Sequence, residues 1–244
     1  MHGLTLAKSY RVNRLNLFQW RAVVFDVDGT LINSNDAHAY AFMEAFHAHQ
    51  YSIPFKRVRP LIGMGAEKLI PLALEKGVSN LEREEISATK ARIFETRYLN
   101  TIAAFPGAHD LLRALNNHGL GLAIATSASG DELQALLHTA GLEGQISLQA
   151  CASDAQHSKP DPDIVLAAIR KLDIPRSAIV MIGDTPYDAI AAKQAGIAFV
   201  GFTCGGWSPL DLAGALKTYS GPQQLFDELN HPPHDTAQKV PLAG

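Results

Sequence analysis

The residues best placed to do chemistry sit at the end of an apolar run. Ala22-Val23-Val24-Phe25 has no polar interruption and leads into Asp26-Val27-Asp28 and then Gly29. In extended backbone Asp26 and Asp28 point to one side, and Gly29 lets the chain turn away sharply. Two carboxylates this close repel, which is tolerated only where a cation or a shared proton relieves them. A hard, oxygen-seeking ion such as Mg2+ suits the pair. Further along, Asp184 opens a predicted helix and Asp188 lies one turn on along the same face, so both can look back at one point.

A strand apolar on both faces belongs in a parallel sheet covered by helices, and such sheets bind ligands outside the carboxyl ends of their strands. The rest of the chain supplies the alternation this requires. Segments 120–126, 146–151, 178–182 and 197–201 read as further strands. Helices are expected over 108–118, from a capping box at Ser129 and Glu132 to Gly141, from Asp161 as the cap before Pro162 to just short of Pro175, from Asp184 to Gly196, and over about 222–229. This alternation predicts right-handed crossovers and a doubly wound parallel sheet. Between 34 and 101 no strand candidate occurs. Helices are expected there over about 37–49, over 66–76 closed by Gly77, and in a charged stretch running to about 99.

Asp26-Val27-Asp28-Gly29-Thr30 resembles the first motif of the haloacid dehalogenase-like hydrolases in their phosphatase form. Thr126, Lys159, and Asp184 with Asp188 follow at the ends of later strands in that superfamily's order, so the resemblance covers about residues 22–230. It implies an α/β core over 21–33 and 102–230, with the all-helical stretch 34–101 as the cap domain of type-one capped members. It implies Asp26 as the nucleophile that forms an aspartyl-phosphate, and Asp28 as the general acid and then the base. Dehalogenases of the superfamily lack that second aspartate, which favours phosphoryl chemistry. By the same resemblance the Thr126 hydroxyl and the Ser127 amide hold the phosphate, and Lys159 neutralises phosphate and nucleophile together. Asp26, Asp184 and the backbone carbonyl of Asp28 would ligate Mg2+, with Asp188 holding ligating waters. Read without the resemblance, Thr126 is a turn residue, Lys159 a solvated lysine and Asp184 a helix cap.

The cap segment Leu61-Ile62-Gly63-Met64-Gly65-Ala66-Glu67-Lys68-Leu69 resembles that of phosphoglycolate phosphatases. The expected function is therefore Mg2+-dependent hydrolysis of a small phosphorylated metabolite, phosphoglycolate or a sugar phosphate. A β-phosphoglucomutase-like phosphomutase and a non-catalytic binding protein on the same fold stay open as alternatives. His38, His47, His49 and His109 show no metal-ligand spacing, and the loop Cys204-Gly205-Gly206-Trp207 is assigned no chemistry.

Composition agrees with a globular enzyme. The chain has 244 residues, 47% hydrophobic and 18% charged, enough for an α/β core and one small extra domain. A net charge of −3 offers no basic field for nucleic acid. No apolar run reaches the ~20 residues that span a bilayer. Two cysteines with no paired spacing, Cys151 and Cys204, read as reduced thiols and point to the cytoplasm. Residues 1–20 read as a basic arm, or as a transit-type presequence that would direct the chain to an organelle. Residues 231–244 read as a disordered tail, and the expected state is a monomer or homodimer.

Overall fold

Strand β1, Ala22–Phe25, is buried along its whole length and lies in the middle of the molecule. In a computed structural model that describes residues 15–230, it pairs in parallel with β2, Gly121–Ala125, on one side and β4, Ile179–Gly183, on the other. With β3, Leu148–Ala150, β5, Ala198–Phe202, and β6, Thr218–Tyr219, it forms one parallel sheet in the order β3-β2-β1-β4-β5-β6. The chain winds outward from β1 in one direction through β2 and β3, then returns to β4 on the other side. The carboxyl end of β1 is therefore a switch point, where neighbouring crossovers part and leave a crevice.

Because side chains alternate across a strand, the sheet has two distinct cores. Val23, Phe25, Ile124 and Ile182 face α5, Ala108–Asn117, α6, Gly130–Thr139, and α9, Pro222–Asn230. Val24, Ala123, Ala125 and Met181 face α7, Asp163–Leu172, and α8, Pro186–Ala195. Helices α1, Asn35–Ala48, α2, Phe55–Val58, α3, Ala66–Leu74, and α4, Asn80–Ile93, gather around a third cluster that includes Phe46, Leu69, Ile70 and Ile86. The two connections to this helical cap run side by side. Asn33 N donates to Ala103 O and Phe105 N to Leu31 O, each at 2.9 Å, so the cap leaves and returns just beyond β1.

Several boundaries differ from expectation for local reasons. Helix α3 stops at Leu74 because Glu75 takes the left-handed conformation, two residues before the expected terminator Gly77. The expected charged helix is interrupted: α4 ends at Ile93, one π turn covers Phe94–Tyr98, and a 3-10 turn covers Leu99–Thr101. A π turn changes which side chains face inward, and Phe94 is buried there against the ring of His38. Asp161 does not cap α7, whose N-cap Pro162 has no side-chain bond; its carboxylate pairs with Lys68 instead. At α6 only half of the predicted capping box forms: Ser129 Oγ accepts from Glu132 N at 3.2 Å, while the Glu132 carboxylate reaches Lys90. The short strand β6 has too few residues to leave a periodic signal.

Residues 15–20, counted with the basic arm, lie against the sheet core, and Leu17 in the 3-10 turn Leu17–Gln19 is fully buried. The rest of that arm and the tail 231–244 fall outside the described residues. Leu17→Ala should cost roughly 2–5 kcal/mol, the usual range for a buried leucine truncation, and chemical denaturation would read it. An isolated arm residue would show no change.

Candidate active site

Four strand ends deliver the polar groups. Asp26 directly follows β1 and its N–H donates to Ile182 O at 2.9 Å, which seats the residue inside the sheet. Thr126 follows β2, Asp184 follows β4, and Lys159 comes from the loop between β3 and α7. Asp26, Thr126, Lys159, Asp184 and Asp188 are all buried. Gly29, at φ +80°, lets the chain turn close under Asp184: a Cβ there would lie 2.3 Å from Asp184 Oδ2. At Gly205 the same atom would come within 1.7 Å, so both loops must be bare of side chain for the carboxylate to enter.

The Lys159 ammonium spends its three hydrogens on Asp26 Oδ1 at 2.5 Å, Asp188 Oδ1 at 2.8 Å and Ala125 O at 3.0 Å. The second oxygen of Asp188 accepts from both the N–H and the Oγ1 of Thr185, closing a reciprocal cap at the start of α8. Asp188 is thus tied to Lys159 and to its own helix. Asp184 precedes that cap and accepts from Thr30 Oγ1 at 2.9 Å and Asn35 Nδ2 at 3.0 Å. Neither donor carries a charge.

The balance of buried charge points to a cation. Asp26, Asp184 and Asp188 each offer an oxygen within 4.8 Å of the others, with Lys159 the one cation bonded to them among the described residues. Burial lifts Asp26 to about 7, opposed by Lys159 and reinforced by Asp188 and Asp28. Burial, with repulsion from Asp26 and Asp188, raises Asp184 well above the ordinary carboxylate range. For Lys159, burial works against the charge, but Asp188 and Asp26 overcome it and raise its pKa. Buried hard oxygens in excess of positive charge fit a divalent cation, and Asn35 Oδ1, buried with no hydrogen-bond partner among the described residues, adds a further uncommitted oxygen nearby.

Asp28 has a different environment from its neighbour. Its Oδ1 accepts from Ser34 Oγ at 2.5 Å and from His38 Nε2 at 2.8 Å. Burial pushes it upward, but the His38 charge and hydrogen bond, then Ser34 and Lys90, bring it down to about 2. His38 Nε2 therefore carries the proton of that bond, since an ionised carboxylate only accepts. The ring stacks on Phe94 at 4.1 Å, and Glu132, bonded to Lys90 Nζ at 2.6 Å, approaches its other nitrogen at 3.6 Å. Two carboxylates two residues apart are thus driven in opposite directions.

All the residues singled out from sequence converge. Asp26, Asp28, Thr126 and Ser127 line one cavity of about 570 Å3 between cap and sheet, with Lys159, Asp184 and Asp188 beneath its floor. Thr126 Oγ1 accepts from Ala128 N at 3.1 Å, which leaves its hydrogen free to donate. Ser127 Oγ makes a long contact of 3.4 Å to Gly63 O on the cap side. The Asp28 side chain stands apart from the acidic triad. Sequence reasoning assigned no role in the site to Thr30, Ser34, Asn35, Lys90 or Glu132, and read His38 as a packed or solvent-facing histidine near the cap hinge in preference to one near substrate. Thr30 is the last residue of the first motif and Ser34 a hydroxyl just after it, but nothing local marks the partners of the others.

Comparison with known proteins agrees with this geometry. Residues 23–202 match the family profile described as haloacid dehalogenase-like hydrolase. A probable phosphatase, IndB, of Dickeya dadantii is 34% identical over 75% of this chain and 81% of its own. A phosphoglycolate phosphatase of Rhodospirillum rubrum is 29% identical over 87% and 92%. Among solved structures, a hydrolase from Pseudomonas syringae superposes with a TM-score of 0.81 at 31% identity, covering 86% of this chain and 98% of that one. The chain belongs to the haloacid dehalogenase-like hydrolases. Within them it is a phosphatase-type enzyme with a helical cap on a parallel α/β core.

The electrostatics set the sign of a stability test. Asp184 keeps its proton in the folded, metal-free protein at pH values where the unfolded chain has lost it. Its contribution therefore becomes less favourable as pH rises from 3.8 toward the higher folded value. Asp184→Asn should raise the metal-free Tm at neutral pH, by about 2–4 °C for each kcal/mol of repulsion relieved. Mg2+ at 100 times its Kd should add about 2.7 kcal/mol to the wild type and little to the variant. Calorimetry with and without chelator checks both.

Proposed function

We propose that this enzyme is a Mg2+-dependent phosphomonoesterase that works through an aspartyl-phosphate on Asp26. The observation that carries the reading is the Lys159 ammonium held against Asp26 in a buried site, with the Thr126 hydroxyl and Asp28 on the same cavity wall. Lys159 opposes the upward pull of burial on Asp26, favouring its ionised, nucleophilic form, and offsets the charge of an incoming phosphate, which lets two negative groups meet. Thr126 donates its free hydroxyl hydrogen to a phosphate oxygen, and the Ser127 amide assists from the turn.

An Asp26 oxygen attacks phosphorus as the ester oxygen leaves, forming the acyl phosphate and one alcohol. The leaving oxygen needs a proton. Asp28 is ionised in the free enzyme, so that proton is held by the Asp28–His38 pair, on the 2.8 Å bond between them. Water then attacks phosphorus, Asp28 takes its proton, and Asp26 returns as a carboxylate with release of phosphate. Asp26, Asp184 and the Asp28 backbone carbonyl would hold Mg2+, which would neutralise phosphate charge that a single lysine leaves uncompensated. Asp188 keeps Lys159 aimed. The helical segment 34–101 would act as a lid that excludes bulk water and contacts the leaving group, with hinges at its paired connections.

The substrate class is a small phosphorylated metabolite, phosphoglycolate or a sugar phosphate. Named relatives support it: the phosphoglycolate phosphatase above, and a CbbY variant of Rhodobacter sphaeroides crystallised with xylulose-1,5-bisphosphate. Phosphate release from a panel of such esters should require Mg2+ and fall by three orders of magnitude or more in Asp26→Asn, on the order of what loss of a covalent nucleophile removes. Asp28→Asn should slow both half-reactions. Isomerisation of a hexose phosphate without net hydrolysis would replace this reading with a phosphomutase, and metal binding without turnover would leave a binding protein.

A further inference from the structure

Lys159 sits in a loop that the cap grips on both sides of it. On the amino side, Ser158 N donates to Glu67 Oε1 at 3.0 Å, and Ser158 Oγ accepts from Gly65 N at 2.9 Å. The Ser158 carbonyl accepts from Lys68 Nζ. On the carboxyl side, the same Lys68 Nζ donates to Asp161 Oδ2 at 2.7 Å. All four bonds come from the first turn of α3 and the residue before it, and therefore from the cap. Apart from the bonds of the Lys159 ammonium, the other hydrogen bonds of residues 157–161 among the described residues close within the loop or onto the first residue of α7: Asp161 N to Ser158 O, Ser158 Oγ to Lys159 O, and His157 N and Nδ1 to Asp163.

The grip matters because of what Lys159 must do. In the free enzyme its ammonium is placed by Asp26, Asp188 and Ala125 O. Once Asp26 carries a phosphoryl group, the bond to Asp26 has to be shared with phosphoryl oxygens, and the backbone on either side of Lys159 decides where the ammonium stays. Two of the four cap bonds come from one ammonium and a third ends on a carboxylate, and such charge-assisted bonds are about twice as strong as neutral ones.

We infer that Glu67 and Lys68 are positioning residues: seated on the sheet, the cap fixes loop 158–161 and thereby aligns Lys159 for phosphoryl transfer. The inference rests on the phosphatase reading above. It makes the lysine competent only while the cap is closed, so closure and chemistry are coupled through this loop as well as through the leaving group.

The test uses Lys68→Met and Glu67→Ala with the conservative partners Lys68→Arg and Glu67→Gln, each of which keeps the donor or acceptor. On an ester that the wild type hydrolyses, the first two should lose about tenfold to 100-fold in kcat, the scale of a small misplacement of a catalytic group, with KM little changed. The conservative pair should stay near the wild type. Amide exchange followed by mass spectrometry should quicken over 152–164 in Lys68→Met and Glu67→Ala and nowhere in the sheet. A rise in KM with kcat intact would overturn the inference, because it would mean that these residues only hold the cap on its substrate. Unchanged exchange over 152–164 would overturn it as well. A wild type that hydrolyses no ester defeats the phosphatase reading instead, and the exchange result still decides whether α3 holds the loop.

Discussion

The structure depends on one lysine set among three buried aspartates. Lys159 bonds Asp26 and Asp188 directly, and Asp184 stands within reach of both carboxylates with no cation of its own among the described residues. Removing that ammonium would leave uncompensated charge in the middle of the protein, which is among the most destabilising changes a buried site can suffer. Everything around the lysine serves to hold it: Ala125 O at the end of β2, the Thr185–Asp188 cap of α8, and the loop that the cap clasps from above.

The sheet makes this cluster possible by topology. With β1 between β2 and β4, the residues that follow three neighbouring strands emerge at one edge, and the crossovers part above them. The loop glycines Gly29 and Gly205 then admit Asp184 where any side chain would collide. The neighbouring Asp28 belongs to a second system that crosses from sheet to cap through His38, Glu132 and Lys90. The first motif thus holds one carboxylate raised by burial and excess negative charge and another lowered by a histidine. Separated environments of this kind let adjacent aspartates take different parts in one reaction.

The cap touches both systems at once. His38 and Lys90 lie in α1 and α4 beside Asp28, while Gly65, Glu67 and Lys68 lie at the start of α3 beside Lys159. Arg59, held by Asp36 within the cap, donates to Gly205 O, and Tyr187 donates to Pro60 O, adding ties along the same seam. A domain joined to the core by two adjacent strands of chain would otherwise be free to swing, and polar contacts of this number give its closed position a definite geometry.

The sequence by itself determined the sheet and the principal polar residues. Ala22–Phe25 is apolar without interruption, so β1 had to be buried, and Asp26 had to stand at its end whatever the rest of the chain did. The helical nature of 34–101 was equally legible, because helix periodicity is local. What the tertiary structure decided is every pairing between distant residues. Asp188 was legible as a carboxylate one turn along a helix, but its ion pair with Lys159, 29 residues away, was not. His38 showed no ligand spacing, yet it sets the charge of Asp28, because only the return of α1 over β1 brings the two together. Glu132 read as a capping residue and is instead the partner of Lys90, and Asp161 read as a cap and is instead the partner of Lys68. Periodicity and capping depend on neighbours within a turn or two, whereas a buried charge finds whichever opposite charge the fold brings close enough to replace its lost water.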